Sequence, residues 1–559
     1  MSDHNFDAIV VGSGISGGYA AMELCEKGLK TLVIERGRNV EHIKDYTTAF
    51  MSPWQFPNRL QLTFEDITEN PVQSTTYDEG SKHFFVNDRE HPYIQEKPFN
   101  WIRGYQVGGR SLTWGRQCYR RSDLDFEANA KEGIAVDWPI RYKDIAPWYE
   151  YVEDFVGISG RPEGLPHLPD GKFLPPMEMN CIEDHFSKQI RQHYTDRIVT
   201  IARVANLSQG WKGRGPCHYR NLCTRGCPYS GYFSSNAATL PAAAATGNMT
   251  LLTDAIVIEV IYDEVNSRAK GVRVMDAHTR QITEYYARVL FLNASTIATA
   301  ALLLNSTSRR FPNGLGNSSS QVGHNLMDHF IGTGAQGESD LFKDSYYSGR
   351  KPSSIYIPRF RNINAATTRK DFLRGYGLQS SGGRLDWQAQ SPAIPGFGDD
   401  FKKNLLQPGP WYIWMGGWAE TLPYYDNKIT LDPEKKDQWG LPIVRIHFEY
   451  KSNEAAMRKD IQASAEEMLH TSGFSNIHSY SHEDPGGTAV HEMGTCRMGK
   501  DPRTSVLNAF NQMHDVKNVF ITDGSCMTSA GTANPSLTYM ALTARACDYV
   551  VSEMKKLNL

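Results

Sequence analysis

The sequence has no run of five or six like charges and no cationic excess: 59 lysines and arginines stand against 62 acids, a net charge of −3. That balance gives a polyanion nothing to bind, so nucleic acid is not expected as a partner. A membrane-length apolar run is also missing. The uncharged apolar stretch from Val289 to Ser306 is broken by Asn293, Ser295, Thr296 and Thr299, whereas a span needs about 20 mainly apolar residues. It reads as a buried strand followed by a helix. The N-terminus, MSDHNFDAIVVGSG, carries Asp3 and Asp7 and has no basic region, apolar core or twin arginine. No export signal of the chain's own is therefore expected. Cysteine is sparse and odd in number, nine residues in 559, which argues against a disulfide framework. The 47 glycines and 28 prolines are near ordinary usage, so collagen-like and low-complexity readings fall away. What remains is a large globular chain of more than one domain.

Its first motif is local. FDAIVV (6–11) is a short apolar run that reads as a buried parallel strand. GSGISGG (12–18) follows, then a helical stretch from Gly18 to Glu26 and a second strand from Thr31 to Glu35. In this strand–GxGxxG–helix–strand unit Gly12 allows the tight turn, Gly14 the approach of a diphosphate, and Gly17 close packing of helix on strand. Ser13, Ile15 and Ser16 complete the cradle. The phosphates belong at the helix N-terminus, where free N–H groups favour negative charge. Glu35, with Arg36 beside it, ends the second strand, where an acid can bond the adenosine ribose. The motif alone leaves NAD and FAD open.

Segments far along the chain decide between them. RGYQVGGRSLTWG (103–115), VGHNLMDH (322–329), HEMGTCRMG (491–499), NVFITDGS (518–525) and NPSLTYMALTARACDYV (534–550) occur in that order. Together they resemble the glucose–methanol–choline oxidoreductases. The resemblance implies an α/β fold, α+β overall, with a Rossmann-like FAD-binding domain built from discontinuous segments and an inserted substrate domain with an antiparallel sheet. The FAD-binding segments are expected at 1–50, 96–132, 201–330 and 489–559, and the cap and substrate domain at 51–95, 133–200 and 331–488. By the same resemblance Gly108, Gly109, Ser111 and Trp114 line the flavin, Val257 meets adenine, and Ala294 stands in the second family signature. Asp523 and Gly524 end an apolar strand beside the diphosphate. Asn534, Pro535 and Thr538 open a last helix whose dipole can stabilise charge on the flavin.

The resemblance places His491 and Asn534, 43 residues apart, against the substrate. Oxidising an alcohol removes a hydroxyl proton while hydride leaves carbon. An imidazole suits the proton and an amide can orient the hydroxyl, so His491 is expected as general base and Asn534 as its positioning partner. Where some relatives attach FAD to a histidine, this chain has Thr113, so noncovalent FAD is expected. Gln379, Arg384 and Glu420 are candidate substrate contacts, and Trp411, Trp414 and Trp418 could stack on sugar rings.

The remaining motif is GPCHYRNLCTRGCPYSG (215–231), with Cys217, Cys223 and Cys227 in a C-x5-C-x3-C pattern. On spacing, three readings stay open: a 3Fe–4S cluster on three thiolates, zinc with His218 as fourth ligand, or a structural loop with free thiols. The loop also resembles that of the FAD subunits of bacterial membrane-associated sugar dehydrogenases. That likeness implies a 3Fe–4S cluster, a cytochrome c-type acceptor, and a small exported accessory subunit that carries the chain to the periplasm. The membrane would be met only through partners; without the partner the chain would stay in the cytoplasm. The function expected is an FAD-dependent dehydrogenase of a sugar or glycoside hydroxyl, with C3 of a glycoside favoured. A sugar oxidase with a structural cysteine loop, and a non-catalytic flavin-binding assembly protein, are the rivals.

Overall fold

The computed structural model describes residues 4–345, 352, 354–385, 391 and 394–559. Two seven-stranded sheets organise the chain. In the first, strands run in the order Met249–Leu252, Thr31–Ile34, Asn5–Val11, Ile282–Leu292, Arg268–Asp276 and Ala255–Asp263, with Val519–Phe520 also paired to Ile282–Leu292. Asn5–Val11 lies parallel to Thr31–Ile34 and to the second half of Ile282–Leu292. The first half of Ile282–Leu292 instead pairs antiparallel with Arg268–Asp276. One strand thus serves both a parallel nucleotide-binding sheet and an antiparallel meander.

The parallel strands are buried on both faces, and Ala8, Ile9, Val10 and Leu290 to Leu292 are fully enclosed, as sequence runs without polar alternation require. The helix Ile15–Glu26 begins directly after Gly14, three residues earlier than the glycines suggest. Its early start brings its N-terminus against the strand ends. At Gly17 an added Cβ would lie 1.9 Å from the Gly12 carbonyl oxygen, so only glycine lets this helix sit so close to the turn.

The second sheet is antiparallel: Ser475–Ser481, Thr333–Ser339, Trp411–Glu420, Tyr376–Arg384, Ile355–Ile357 and Thr200–Ile201, with His329–Phe330 paired to the end of Trp411–Glu420. One face packs on the helix Ser452–Thr471, whose Met457, Ile461, Ala465, Met468 and Leu469 are fully buried at helical spacing. Each large side chain so buried contributes about 1.5–3 kcal/mol. Alternation then sends Gln379 and Trp418 to the opposite face, toward the first sheet. The stretch 353–360 forms the short strand Ile355–Ile357; its first residue lies outside the described residues. The stretches 427–433 and 441–450 form strands, but in a separate three-stranded sheet with Ile94–Gln95. Ile429 and Ile446 of that sheet join the core of the nucleotide-binding half. Among the described residues no helix is long and apolar enough to cross a membrane.

Candidate active site

A cavity of about 460 Å³ lies between the two sheets, at the C-terminal ends of the parallel strands, and is lined there by Val11, Ile34 and Asn293. Ligands of open α/β sheets occupy this position. Three helices start at its wall: Ile15–Glu26, Thr296–Asn305 and Ser536–Lys555. None carries an acid in its first turn, so their free N–H groups and positive dipole ends are left for an anionic ligand. Gly12, Ser13, Gly14, Ile15 and Ser16 line the cavity. A Cβ on Gly14 would meet nothing within 4 Å, whereas one on Gly12 would lie 2.3 Å from the Asn293 carbonyl. The turn is closed on the protein side and open on the ligand side, as a diphosphate cradle requires.

At the far end Glu35 is buried, and its carboxylate accepts from the Ser13 hydroxyl at 2.6 Å and the Gly37 N–H at 3.1 Å. Burial raises its pKa against those bonds. Arg36 stacks on Tyr105 at 4.7 Å and Trp439 at 5.1 Å, covering the end where Val257 lines the wall. Asp523 accepts from Thr299 at 2.6 Å, and burial pushes its carboxyl up.

At the other end the lining residues include His491, Asn534, Gln379, Trp418 and Trp114. His491 Nε2 lies 3.2 Å from Asn534 Nδ2, and Gln379 Nε2 donates to Asn534 Oδ1 at 2.8 Å. Behind His491 stands His329, with the two Nδ1 atoms 2.9 Å apart and His329 Nε2 2.8 Å from the Gly531 carbonyl. Asp328 Oδ1 accepts the backbone N–H of both His329 and His491, at 2.9 and 3.0 Å. Arg110 pairs with Glu492 at 2.7 Å. Burial, reinforced by His329, Arg110 and Arg121, holds the His491 pKa well below the usual imidazole value. Burial lowers His329 to about 4. Burial and the neighbouring Glu492 push Asp328 up to about 7. Both rings are therefore neutral at neutral pH, and His491 is available as a proton acceptor.

GMC oxidoreductase family models match residues 6–331 and 423–543. The chain is a GMC oxidoreductase. Relatives of this GMC oxidoreductase include 2-methyl-1,2-propanediol dehydrogenase of Mycolicibacterium austroafricanum, 27% identical, with 97% of this chain and 95% of the relative aligned. The fructose dehydrogenase large subunit of Gluconobacter japonicus is 24% identical over 98% of each chain. Paromamine 6'-oxidase of Streptomyces fradiae is 25% identical over 99% of this chain and 92% of its own. Among solved structures, pyridoxine 4-oxidase from Mesorbium loti shares the fold with a TM-score of 0.61 at 16% identity, covering 97% of this chain and 98% of its own. The cavity is accordingly an FAD site, and the enzyme is an FAD-dependent oxidoreductase of alcohol or sugar hydroxyl groups.

Within this GMC oxidoreductase the predicted cofactor residues fall unevenly. Gly109, Ser111, Trp114, Ala294, Gly524 and Pro535 line the cavity with those already named. Gly108 supports it from behind by donating its N–H to the Ser13 hydroxyl at 3.0 Å. Thr538 points away, its hydroxyl 2.8 Å from that of Tyr149. Thr113 lines the wall without an imidazole to offer. Of the candidate substrate contacts only Gln379 reaches the cavity. Arg384 instead donates to the carbonyls of Gly409, Lys343 and Ser345, and Glu420 is buried against Arg374. Trp418 lines the wall, whereas Trp411 is core. His329 and Asp328 were not predicted as site residues, although they close the motif VGHNLMDH.

The cysteine loop departs most from expectation. Among the described residues no three His, Cys, Asp or Glu side chains are placed to hold a metal ion. Cys217 Sγ accepts from the Tyr219 N–H at 3.4 Å and Cys227 Sγ from the Gly231 N–H at 3.3 Å. Burial raises the Cys217 thiol to about 11, which favours the neutral form. His218 stacks on Tyr229 at 4.0 Å. Two of the three thiols thus accept from their own loop, and among the described residues neither an iron–sulfur nor a zinc ligand set is assembled. Thr224, between Cys223 and Arg225, nonetheless lines the FAD cavity.

Proposed function

We propose that this enzyme is a dehydrogenase of a sugar or glycoside hydroxyl, with His491 as general base. Bound FAD supplies the hydride acceptor. His491 takes the hydroxyl proton at Nε2, and the Asn534 amide orients the hydroxyl beside it. Gln379 holds that amide, and Trp418 and Trp114 wall the space and limit water. The observation that carries the reading is the His491–Asn534 pair at 3.2 Å on a cavity that also takes Gln379 and Trp418 from the second sheet. The relatives' names, a fructose dehydrogenase and a paromamine oxidase, support a sugar-like substrate. Thr113 implies FAD held without a covalent bond, so denaturation should release all the yellow colour. Colour retained by the precipitate would refute that.

The finer reading is oxidation at C3 of a glycoside, with electrons leaving through an iron–sulfur centre to a cytochrome c-type acceptor in the periplasm, where an exported accessory subunit carries the enzyme. Thr224 on the cavity wall and the words "large subunit" in the name of the fructose dehydrogenase relative support it. A panel of glycosides with NMR of the product tests the substrate, and a single oxidation at C3 is the expected result. Iron content and cytochrome reduction test the exit. Iron-free protein that makes peroxide from oxygen would establish the oxidase instead.

A further inference from the structure

The chain of hydrogen bonds behind His491 has only one consistent direction, and it starts from a carbonyl. The Gly531 carbonyl can only accept, so His329 must carry its proton on Nε2, 2.8 Å away. A neutral His329 then offers a bare Nδ1, and the facing Nδ1 of His491, 2.9 Å away, must be the protonated one. His491 Nε2 is consequently the lone pair on the cavity side. It accepts from Asn534 Nδ2, whose Oδ1 accepts from Gln379. An isolated histidine prefers the opposite tautomer, with the proton on Nε2, in which no lone pair would face the substrate. Which nitrogen is protonated is set by the partner of the other.

We propose that His329 is a positioning residue that locks His491 in its Nδ1–H tautomer and so makes Nε2 the base. This rests on the reading of His491 as general base. The lock is rigid at both ends. His329 is fully buried, its strand pairs with Glu420, and its N–H is tied to Asp328. The accepting carbonyl follows Ser529 and Ala530, whose own carbonyls are held by the buried guanidinium of Arg121. The charged groups around the two rings are Arg110, Arg121, Asp328, Glu420 and Glu492. When substrate is oxidised the hydroxyl O–H bond breaks and an Nε2–H bond forms on His491, while the hydride goes to FAD. The Nδ1–H bond to His329 persists and orients the resulting imidazolium.

The test compares His329→Leu with His329→Asn in the FAD-loaded enzyme. Leucine fills space but accepts nothing, whereas the asparagine Oδ1 can take the place of Nδ1 as acceptor. We expect His329→Leu to slow flavin reduction about 10²–10⁴-fold, the range for loss of general-base function, with little change in KM and with FAD still bound. His329→Asn should recover the rate to within about tenfold of the parent, because only an acceptor is needed there. The second readout needs no turnover. In apoprotein carrying ¹⁵N-labelled histidine, the His491 signals, identified by their loss in His491→Ala, should show a protonated Nδ1 and a bare Nε2. The proposal is overturned by a proton on Nε2 of His491 in the parent, by an unchanged rate in His329→Leu, or by two equally slow variants. Should His329→Leu fail to fold, the parent spectrum and His329→Asn still decide. Full activity in His491→Ala would refute the base itself, whereas the apoprotein spectrum tests the lock separately.

Discussion

The histidine chain at one end of the cavity and the cysteine loop at its side are built in different ways. His329, His491, Asn534 and Gln379 come from four distant segments, lie in buried surroundings, and hydrogen-bond one another in a continuous line. The three cysteines come from one loop of eleven residues, are half-buried, and two of them bond to the loop's own backbone. Strands and helices that are stable for other reasons hold the first set in place before any substrate arrives. A short loop has no such support, and ligand geometry there depends on the metal itself, because metal binding and local folding are coupled.

The comparison breaks first at His491. His491→Ala should lower the rate of flavin reduction about 10²–10⁴-fold while FAD stays bound; stopped-flow bleaching at parental speed would remove this histidine from the chemistry. Next comes the cradle. Gly17→Ala forces a Cβ to within 1.9 Å of the Gly12 oxygen, and overpacking of this kind costs about 1–3 kcal/mol. FAD content after gel filtration should fall and the melting temperature with it; a fully loaded variant of normal stability would show that the turn can yield.

The pH dependence sharpens the contrast from another side. His491 is held below its usual pKa by burial, so flavin reduction should stay flat as pH falls through about 6.5, where an ordinary histidine protonates, and decline only below that. Stability has two opposed contributions. Between about 6.5 and 4 the unfolded chain binds a proton at His329 that the folded chain refuses, so this contribution falls with falling pH. Asp328 keeps its proton to about 7 when folded, so its contribution falls as pH rises toward 7. Asp328→Asn should therefore gain in melting temperature relative to the parent between pH 4 and 7; a difference independent of pH would mean that Asp328 titrates normally. The smallest effect is expected at the loop. Cys223→Ser should change flavin bleaching by no more than about twofold, as for a substitution away from packed or buried polar sites. A collapse of bleaching would make the loop a structural support of the cavity.

How much of this could be read from the sequence follows the same division. The Gly12–Gly17 turn and Glu35 are contiguous signals, and each lies where its spacing implied. His491 and Asn534 are far apart in sequence, but motif context singled out both, and the fold brings them side by side on the cavity wall. His329 is one of 17 histidines and closes the motif VGHNLMDH, but the motif does not say what its ring faces; the pairing of its strand with Glu420 brings that ring behind His491. Alternation along Tyr376–Arg384 and Trp411–Glu420 sorts residues by face but does not say how far along a strand the cavity extends. Gln379 and Trp418 reach it; Arg384 and Glu420, on the same strands, do not. The cysteine spacing named a set of ligands, but spacing does not supply the geometry that a cluster would have to impose.

The strand Ile282–Leu292 has a bearing on how the molecule is made. Its first half can pair with Arg268–Asp276 as soon as both have been synthesised, since the connection is short. Its second half must wait for Val519–Phe520 on one side while holding Asn5–Val11 on the other. Contacts of such sequence separation form slowly, and the helix that brings Asn534 to the cavity follows later still. The flavin pocket is thus closed by segments made long after its first strand, and a nascent enzyme stalled before residue 518 should capture no FAD.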